Sequence, residues 1–325
     1  MLAGPRRATV AGMTDSTCDV SPGSFEGVRT AAVGGATLAY REQGDGEAVV
    51  LVHGSADDLR SWEQQLPAIG ASYRAIAYSR RYARPNQDIE SDADDQMLPH
   101  VDDLVALLGV MGAAPAHLVG HSFGAFICLL TAIRHPQLVR TLVLQEPPVL
   151  SLFMSVPPRP TELLRLFRRP RTALTIFSFA AKTAVPAQKD FQRGDDDAAM
   201  QKFAYGLLGK DTYERLPQER KQQARENLSA LRAQVLGAGF PPLSEHDVRG
   251  VQAPTLLMTG ERTPAYLPRL TDRLQQLLPN AERVEVTAAS HLMNEENPGE
   301  VNAAILSFLA RRSPKRHGRA ANRLP

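Results

Sequence analysis

The sequence predicts an α/β fold: a mostly parallel sheet with helices on both faces and a helical insertion late in the chain. Three observations predict it. Short β-rich runs alternate with helical patterns along most of the 325 residues, as in sheets built from crossover connections. The alternation stops between Pro147 and about Val251, where prolines are frequent and no strand pattern is evident. Ahead of that break, an apolar run turns through Gly120-His121-Ser122-Phe123-Gly124 directly into a helical pattern.

The expected strands, in order, are Val28–Val33, Thr37–Gln43, Val49–His53, Tyr73–Tyr78, Ala116–Val119, Thr141–Gln145, Thr255–Thr259 and Arg283–Thr287. The expected helices are Leu59–Leu66, Met97–Met111, Ala125–His135, Tyr266–Leu278 and Glu300–Arg311. The third is the best marked, with Phe126, Ile127, Leu129, Leu130 and Ile133 at helical spacing and His135-Pro136 ending it. Residues 149–249 read as a lid inserted into a core of residues 25–148 and 250–312. Six of the eleven phenylalanines (Phe153, Phe167, Phe177, Phe179, Phe191 and Phe203) fall in the lid's first half, which suggests an apolar underside facing a pocket. Arg159, Arg165, Arg168, Arg169 and Arg171 also cluster there and read as a solvated helix face.

Composition narrows the function classes. A formal charge of +2 gives no global case for nucleic acid, and 43% apolar residues suffice for a sizeable core. Cys18 and Cys128 read as free thiols in a reducing compartment, so the expected location is the cytoplasm. Residues 1–24 read as a flexible arm without the apolar core of a signal peptide, and Met13 is an alternative start. No apolar run approaches the ~18 residues of a membrane span. Residues 313–325, with Lys315, Arg316, Arg319 and Arg323, read as a solvated basic tail. No Cys/His cluster has zinc spacing, and no cofactor is expected. A small hydrophobic molecule is the expected partner, and a homodimer stays open.

The turn at Ser122 carries the chemistry. Glycines two residues to either side allow a tight strand-to-helix corner that lifts the Ser122 hydroxyl above the sheet edge. The corner also points the backbone N–H of Phe123 toward an oxygen that gains charge during attack. A serine hydroxyl needs a base, and His291 is the candidate, on a loop between the last expected strand and the last helix. His121 adjoins the nucleophile, but its side chain is expected to project elsewhere. His100, His117 and His135 are expected in structural settings. In His53-Gly54-Ser55, Gly54 permits close approach and the N–H of Ser55 is a second oxyanion donor, while His53 serves the loop itself.

With this nucleophile elbow, His-Gly loop and late histidine in order, the chain resembles the α/β-hydrolase superfamily over roughly residues 25–312. The resemblance implies an eight-stranded, mostly parallel sheet, a helical lid after the sixth strand, and a Ser–His–acid triad in chain order Ser, acid, His. Two departures stand out. Where many members carry an aspartate after the seventh strand, Met258-Thr259-Gly260-Glu261-Arg262-Thr263 places Thr263. The family's other acid position, at the end of the sixth strand, here holds Glu146, so Glu146 is the expected acid and Glu261 the alternative. Pro147 favours an extended backbone at Glu146. After the fourth strand many relatives carry Asp-x-Arg-Gly-x-Gly. Here Tyr78-Ser79-Arg80-Arg81-Tyr82-Ala83 keeps only the arginine, and Arg80 or Tyr82 is expected to serve structure, with the pocket rim as the other option.

The expected activity is hydrolysis of an ester-type bond of a small to medium hydrophobic substrate, through an acyl-enzyme on Ser122 with His291 as base. A serine at the elbow argues against dehalogenase and epoxide hydrolase chemistry, which on this fold uses aspartate there, and leaves C–C bond, thioester and lactone hydrolysis and perhydrolysis open. A non-hydrolytic ligand receptor and a biosynthetic lyase or cyclase on the same fold are the alternatives.

Overall fold

The computed structural model describes residues 24–90, 93–155 and 159–312; the N-terminal arm with Met13 and Cys18, and the basic tail, lie outside them. One sheet holds β1 (Arg29–Val33), β2 (Ala36–Gln43), β3 (Ala48–Val52), β4 (Arg74–Tyr78), β5 (Ala116–His121), β6 (Val139–Gln145), β7 (Thr255–Gly260) and β8 (Ala281–Val286). Their order is β1-β2-β4-β3-β5-β6-β7-β8. β2 runs antiparallel to β1 and β4, and the remaining pairs are parallel. Every expected strand is present. After β3 the chain moves to one side for β4 and then crosses to the other for β5. The loops leaving the C-terminal ends of β3 and β5 therefore meet at a switch point, where α/β sheets form clefts.

The helices, in order, are α1 (Gln65–Gly70), α2 (Met97–Val110), α3 (Phe123–Arg134), α4 (Pro160–Phe167), α5 (Pro170–Phe179), α6 (Val185–Gln192), α7 (Asp196–Leu208), α8 (Lys210–Arg215), α9 (Gln218–Glu226), α10 (Leu228–Leu236), α11 (Glu245–Arg249), α12 (Tyr266–Leu277), α13 (Met293–Glu296) and α14 (Pro298–Ala310). Alternate strand residues feed two cores, as the pleat requires. Val50, Val52, Leu118, Leu142 and Leu257 pack with α2, α3 and α12, whereas Val49, Leu51, Val119, Val143 and Leu256 pack against Trp62, Ile69 and α14. Strands covered on both faces need continuous apolar runs, and Ala-Val-Val-Leu-Val of β3 is buried throughout. The helix expected over 59–66 is instead a 3₁₀ turn (Leu59–Trp62) followed by α1. Buried Asp58 accepts both the amide and the guanidinium of Arg60, which tightens the first turn.

Between β6 and β7 the chain is helical, and a single π turn (Ala180–Ala184) links α5 to α6. This segment has its own small core of Phe191, Ala199, Met200 and Leu231. Buried polar contacts fasten it to the sheet's loops. Asn227 donates to Asp58 (2.8 Å) and accepts the amide of Arg84 (2.8 Å), and Gln234 donates to Asp95 (2.7 Å). The six phenylalanines divide among different tasks. Phe153 and Phe179 pack on the main core, with Phe179 stacked on Tyr266 at 4.0 Å; Phe191 fills the small core, and Phe167 and Phe177 face solvent. Of the six, only Phe203 lines the cavity described below. Cys128 is a buried free thiol. Among the described residues no helix is long and apolar enough to cross a membrane.

Candidate active site

β5 ends at His121 and α3 begins at Phe123, leaving Ser122 alone to make the corner with φ +51° and ψ −119°. Such a conformation costs a non-glycine residue about 1–3 kcal/mol and persists only where neighbours fix it. Here the Ser122 amide donates to Gln145 O (2.8 Å), and its carbonyl accepts from Ala125 (2.9 Å). Close packing fixes the flanks. A Cβ on Gly120 would lie 2.5 Å from Ala125 Cα, and one on Gly124 would lie 2.2 Å from Val52 O and 2.4 Å from His53 O. Backbone cannot yield as a flexible side chain does. Gly124→Ala is therefore expected to lower stability by about 1–3 kcal/mol, read as a shifted urea midpoint; an unchanged midpoint would count against this tight corner.

His291 follows β8 and directly precedes the short helix α13. Its Nδ1 lies 2.6 Å from Glu146 Oε2, and the other carboxylate oxygen, Oε1, accepts the amide of Gly260 (3.0 Å). Because an ionised carboxylate only accepts, the neutral imidazole carries its proton on Nδ1, and Nε2 keeps its lone pair. Glu146 is fully buried and has φ +49°, not the extended backbone expected before Pro147. The hydrogen bond its N–H donates to Met258 O (3.2 Å) and its two carboxylate contacts together hold that strained form. Gln145 and Asn294 exchange two 2.9 Å hydrogen bonds, which tie the end of β6 to the His291 loop. Glu261 faces elsewhere and accepts the amide of Ala288 (2.7 Å). Thr263 Oγ1 is buried and has no hydrogen-bond partner among the described residues.

The loop after β3 packs on the elbow: a Cβ on Gly54 would lie 3.2 Å from Ser122 Cβ. His53 Nε2 accepts the amide of Arg80 (2.9 Å), so its proton sits on Nδ1, which donates to Gly54 O (2.9 Å). Arg80 Nη2 donates to the same carbonyl (2.9 Å), with its guanidinium 4.6 Å from the centre of the Phe123 ring. A trans peptide carries C=O and N–H on opposite sides. Two donors on Gly54 O therefore fix the direction of the Ser55 N–H. Arg80 is thus buried behind the loop, and neither it nor Tyr82 lines the cavity.

His121 differs from its expected orientation. Its ring lies 4.5 Å from that of His291, and its Nε2–H donates to the His291 carbonyl (2.8 Å). Burial keeps His53, His100 and His121 below the usual histidine range, and burial lowers His117 to about 4. In the unfolded chain each titrates near ~6.5. Below that pH the unfolded state takes up protons that the folded state refuses, so this stability is complete above ~6.5 and declines as pH falls. Each histidine contributes up to about 1.4 kcal/mol per pH unit within its window. Burial raises Asp57 and Glu295, which act in the opposite sense nearer the carboxylate range. The urea midpoint is expected to drop between about pH 7.5 and about pH 5.5, whereas a flat or rising profile would contradict neutral buried histidines.

Ser122, His291, His121 and Ser55 line one cavity of ≈ 80 Å³, roofed by Met200, Phe203, Leu207 and Leu208 of α7. Sequence reasoning missed a charged cluster in its wall. Arg220 of α9 donates to Asp57, beside the His53-Gly54-Ser55 loop, and to both oxygens of Glu295 (2.8 and 3.0 Å). Burial opposes the charge of Arg220, but the two carboxylates outweigh it and hold its pKa above the usual value. Arg220 lies far from Asp57 and Glu295 in sequence, and no local signal marks their meeting. No cluster of metal-ligating side chains occurs among the described residues.

The profile of the alpha/beta hydrolase family matches residues 49–304. Epoxide hydrolase A of Mycobacterium tuberculosis is 28% identical over 311 residues, covering 85% of this chain and 94% of that protein. Among solved structures, an enol-lactonase from Burkholderia xenovorans superposes with a TM-score of 0.65 at 20% identity, covering 87% of this chain and 100% of its own. Carboxylesterase CesB from Bacillus subtilis superposes with a TM-score of 0.64 at 20% identity, covering 87% and 91% respectively. Both likenesses are in fold.

Proposed function

Because the chain belongs to the alpha/beta hydrolase family, we propose that it is a cytoplasmic serine hydrolase that cleaves an ester-type bond of a small to medium hydrophobic substrate. The observation that carries this reading is the 2.6 Å contact of His291 with Glu146 at the cavity that holds Ser122. In this reading His291 Nε2 takes the Ser122 proton as Oγ bonds to the substrate carbonyl carbon. The N–H groups of Ser55 and Phe123 hold the resulting oxyanion; Phe123 opens α3, so its N–H has no carbonyl one turn back to bond. The intermediate collapses, the C–O bond to the alcohol breaks, and His291 protonates the leaving oxygen. His291 then deprotonates a water, whose oxygen bonds to the acyl carbon; the C–Oγ bond breaks, the carboxylic acid leaves, and His291 returns the proton to Ser122 Oγ.

Residues 149–249 act as the lid. The apolar roof supplied by α7 supports a hydrophobic acyl or alcohol group. A serine at the elbow supports acyl transfer over the epoxide chemistry named for the Mycobacterium relative. The test is stopped-flow hydrolysis of a p-nitrophenyl ester, followed by a panel of esters, thioesters and lactones. A burst of one p-nitrophenol per active site and then steady turnover is expected. Stoichiometric ligand binding with no turnover would favour a receptor instead.

A further inference from the structure

The α4–α5 hairpin presents a face that the hydrolytic reading does not use. Each helix buries one side, through Leu166 in α4 and through Ala173 and Ile176 in α5. The exposed flanks carry Leu164 and Phe167, 66% and 65% exposed, and Leu174 and Phe177, 71% and 37% exposed. Both pairs have i, i+3 spacing, so each forms one stripe. The rings of Phe167 and Phe177 lie 6.4 Å apart and join the stripes into one patch. The patch holds four of the six exposed large hydrophobic side chains among the described residues. A protein surface seldom gathers apolar groups in this way unless something covers them.

The surrounding charge says what. Residues 159–171 read Arg-Pro-Thr-Glu-Leu-Leu-Arg-Leu-Phe-Arg-Arg-Pro-Arg, five arginines against one acid. That acid, Glu162, is occupied at home, accepting the amides of Ser155 and Arg159 (2.9 Å each) and the Ser155 hydroxyl (2.7 Å). Arg168, Arg169 and Arg171 are exposed and form no salt bridge with a described residue, whereas Arg193, Arg225, Arg232 and Arg249 further along are all paired.

We propose that the α4–α5 hairpin is a docking surface for anionic phospholipid bilayers. Leu164, Phe167, Leu174 and Phe177 enter the acyl boundary, and the arginines take the headgroup phosphates. An apolar face with basic residues beside it is what an interfacial helix requires. A second copy of the chain fits less well, because a two-fold contact through this face sets the arginine cluster against itself. The proposal does not depend on the hydrolase reading.

The test is flotation of the full chain with phosphatidylcholine vesicles, with and without phosphatidylglycerol. The protein is expected to float with the anionic vesicles and to release as salt rises. Each arginine at an anionic surface contributes roughly fivefold in partitioning, so Arg168→Gln with Arg171→Gln should weaken binding roughly thirtyfold. Phe167→Ser with Leu174→Ser should weaken it by about tenfold or more. Both double variants lie on the surface and should keep the parental melting temperature and ester turnover. Equal flotation with neutral and anionic vesicles, or no flotation, overturns the proposal. So does sedimentation equilibrium showing a dimer that Phe167→Ser dissociates.

Discussion

Ser122→Ala is expected to lower kcat on p-nitrophenyl esters by about 10⁴–10⁶-fold while leaving substrate affinity within a few fold. The size follows from the route: without Oγ there is no covalent intermediate, and the residual rate comes from binding and the oxyanion donors alone. The substitution is also mild for the fold. Alanine keeps the Cβ, and the bonds that fix the corner run through backbone atoms, from the Ser122 amide to Gln145 O and from Ala125 N to the Ser122 carbonyl. Removing a side chain from a strained φ of +51° leaves that backbone cost in place. Purified Ser122→Ala should therefore melt near the parent, and retained ester turnover at the parental rate would refute the nucleophile assignment.

The second large effect is Glu146→Gln, expected to reduce kcat by about 10⁴-fold, the loss typical when an amide replaces a triad carboxylate. The argument is one of tautomers. Glu146 receives the Nδ1–H of His291 and leaves Nε2 basic. A glutamine must also serve Gly260 N–H through its single oxygen, which turns its NH₂ toward His291. That donor draws the lone pair to Nδ1 and the proton to Nε2, where it blocks uptake from Ser122. Glu261→Gln and Thr263→Ala are the controls, since Glu261 caps the Ala288 amide and Thr263 Oγ1 makes no hydrogen bond to a described residue. Both are expected to stay within about threefold of the parent, a difference of less than 1 kcal/mol. If Glu261→Gln instead fell as far as Glu146→Gln, the acid would be misassigned.

Much of this arrangement is local and therefore readable. The central runs, β3 above all, are apolar because parallel strands are covered on both faces, and all eight expected strands form, including the more polar β1, β2 and β8. The elbow is legible because its glycines answer a steric demand that backbone atoms of β3 and α3 impose. Glu146 stands out because Thr263 leaves the other site without a carboxylate. What stayed hidden depends on residues brought together from afar. Arg220 meets Asp57 and Glu295 across 163 and 75 positions of sequence, and no periodicity marks such a meeting. The φ of Glu146 ran against the preference that Pro147 imposes, because three tertiary hydrogen bonds outweigh it. His121 turned inward because the carbonyl of His291 needs a donor there. The phenylalanines were visible as a cluster, but their division between core, cavity and surface required the helices to be placed.

The central claim is that Ser122 is activated by His291 held by Glu146, and the rate of phosphonylation by a fluorophosphonate tests it most directly. The label should appear once per chain, map to Ser122 by peptide mass, and form at least about a hundredfold more slowly in Glu146→Gln. Labelling at another residue, or equal rates in the parent and Glu146→Gln, would contradict it.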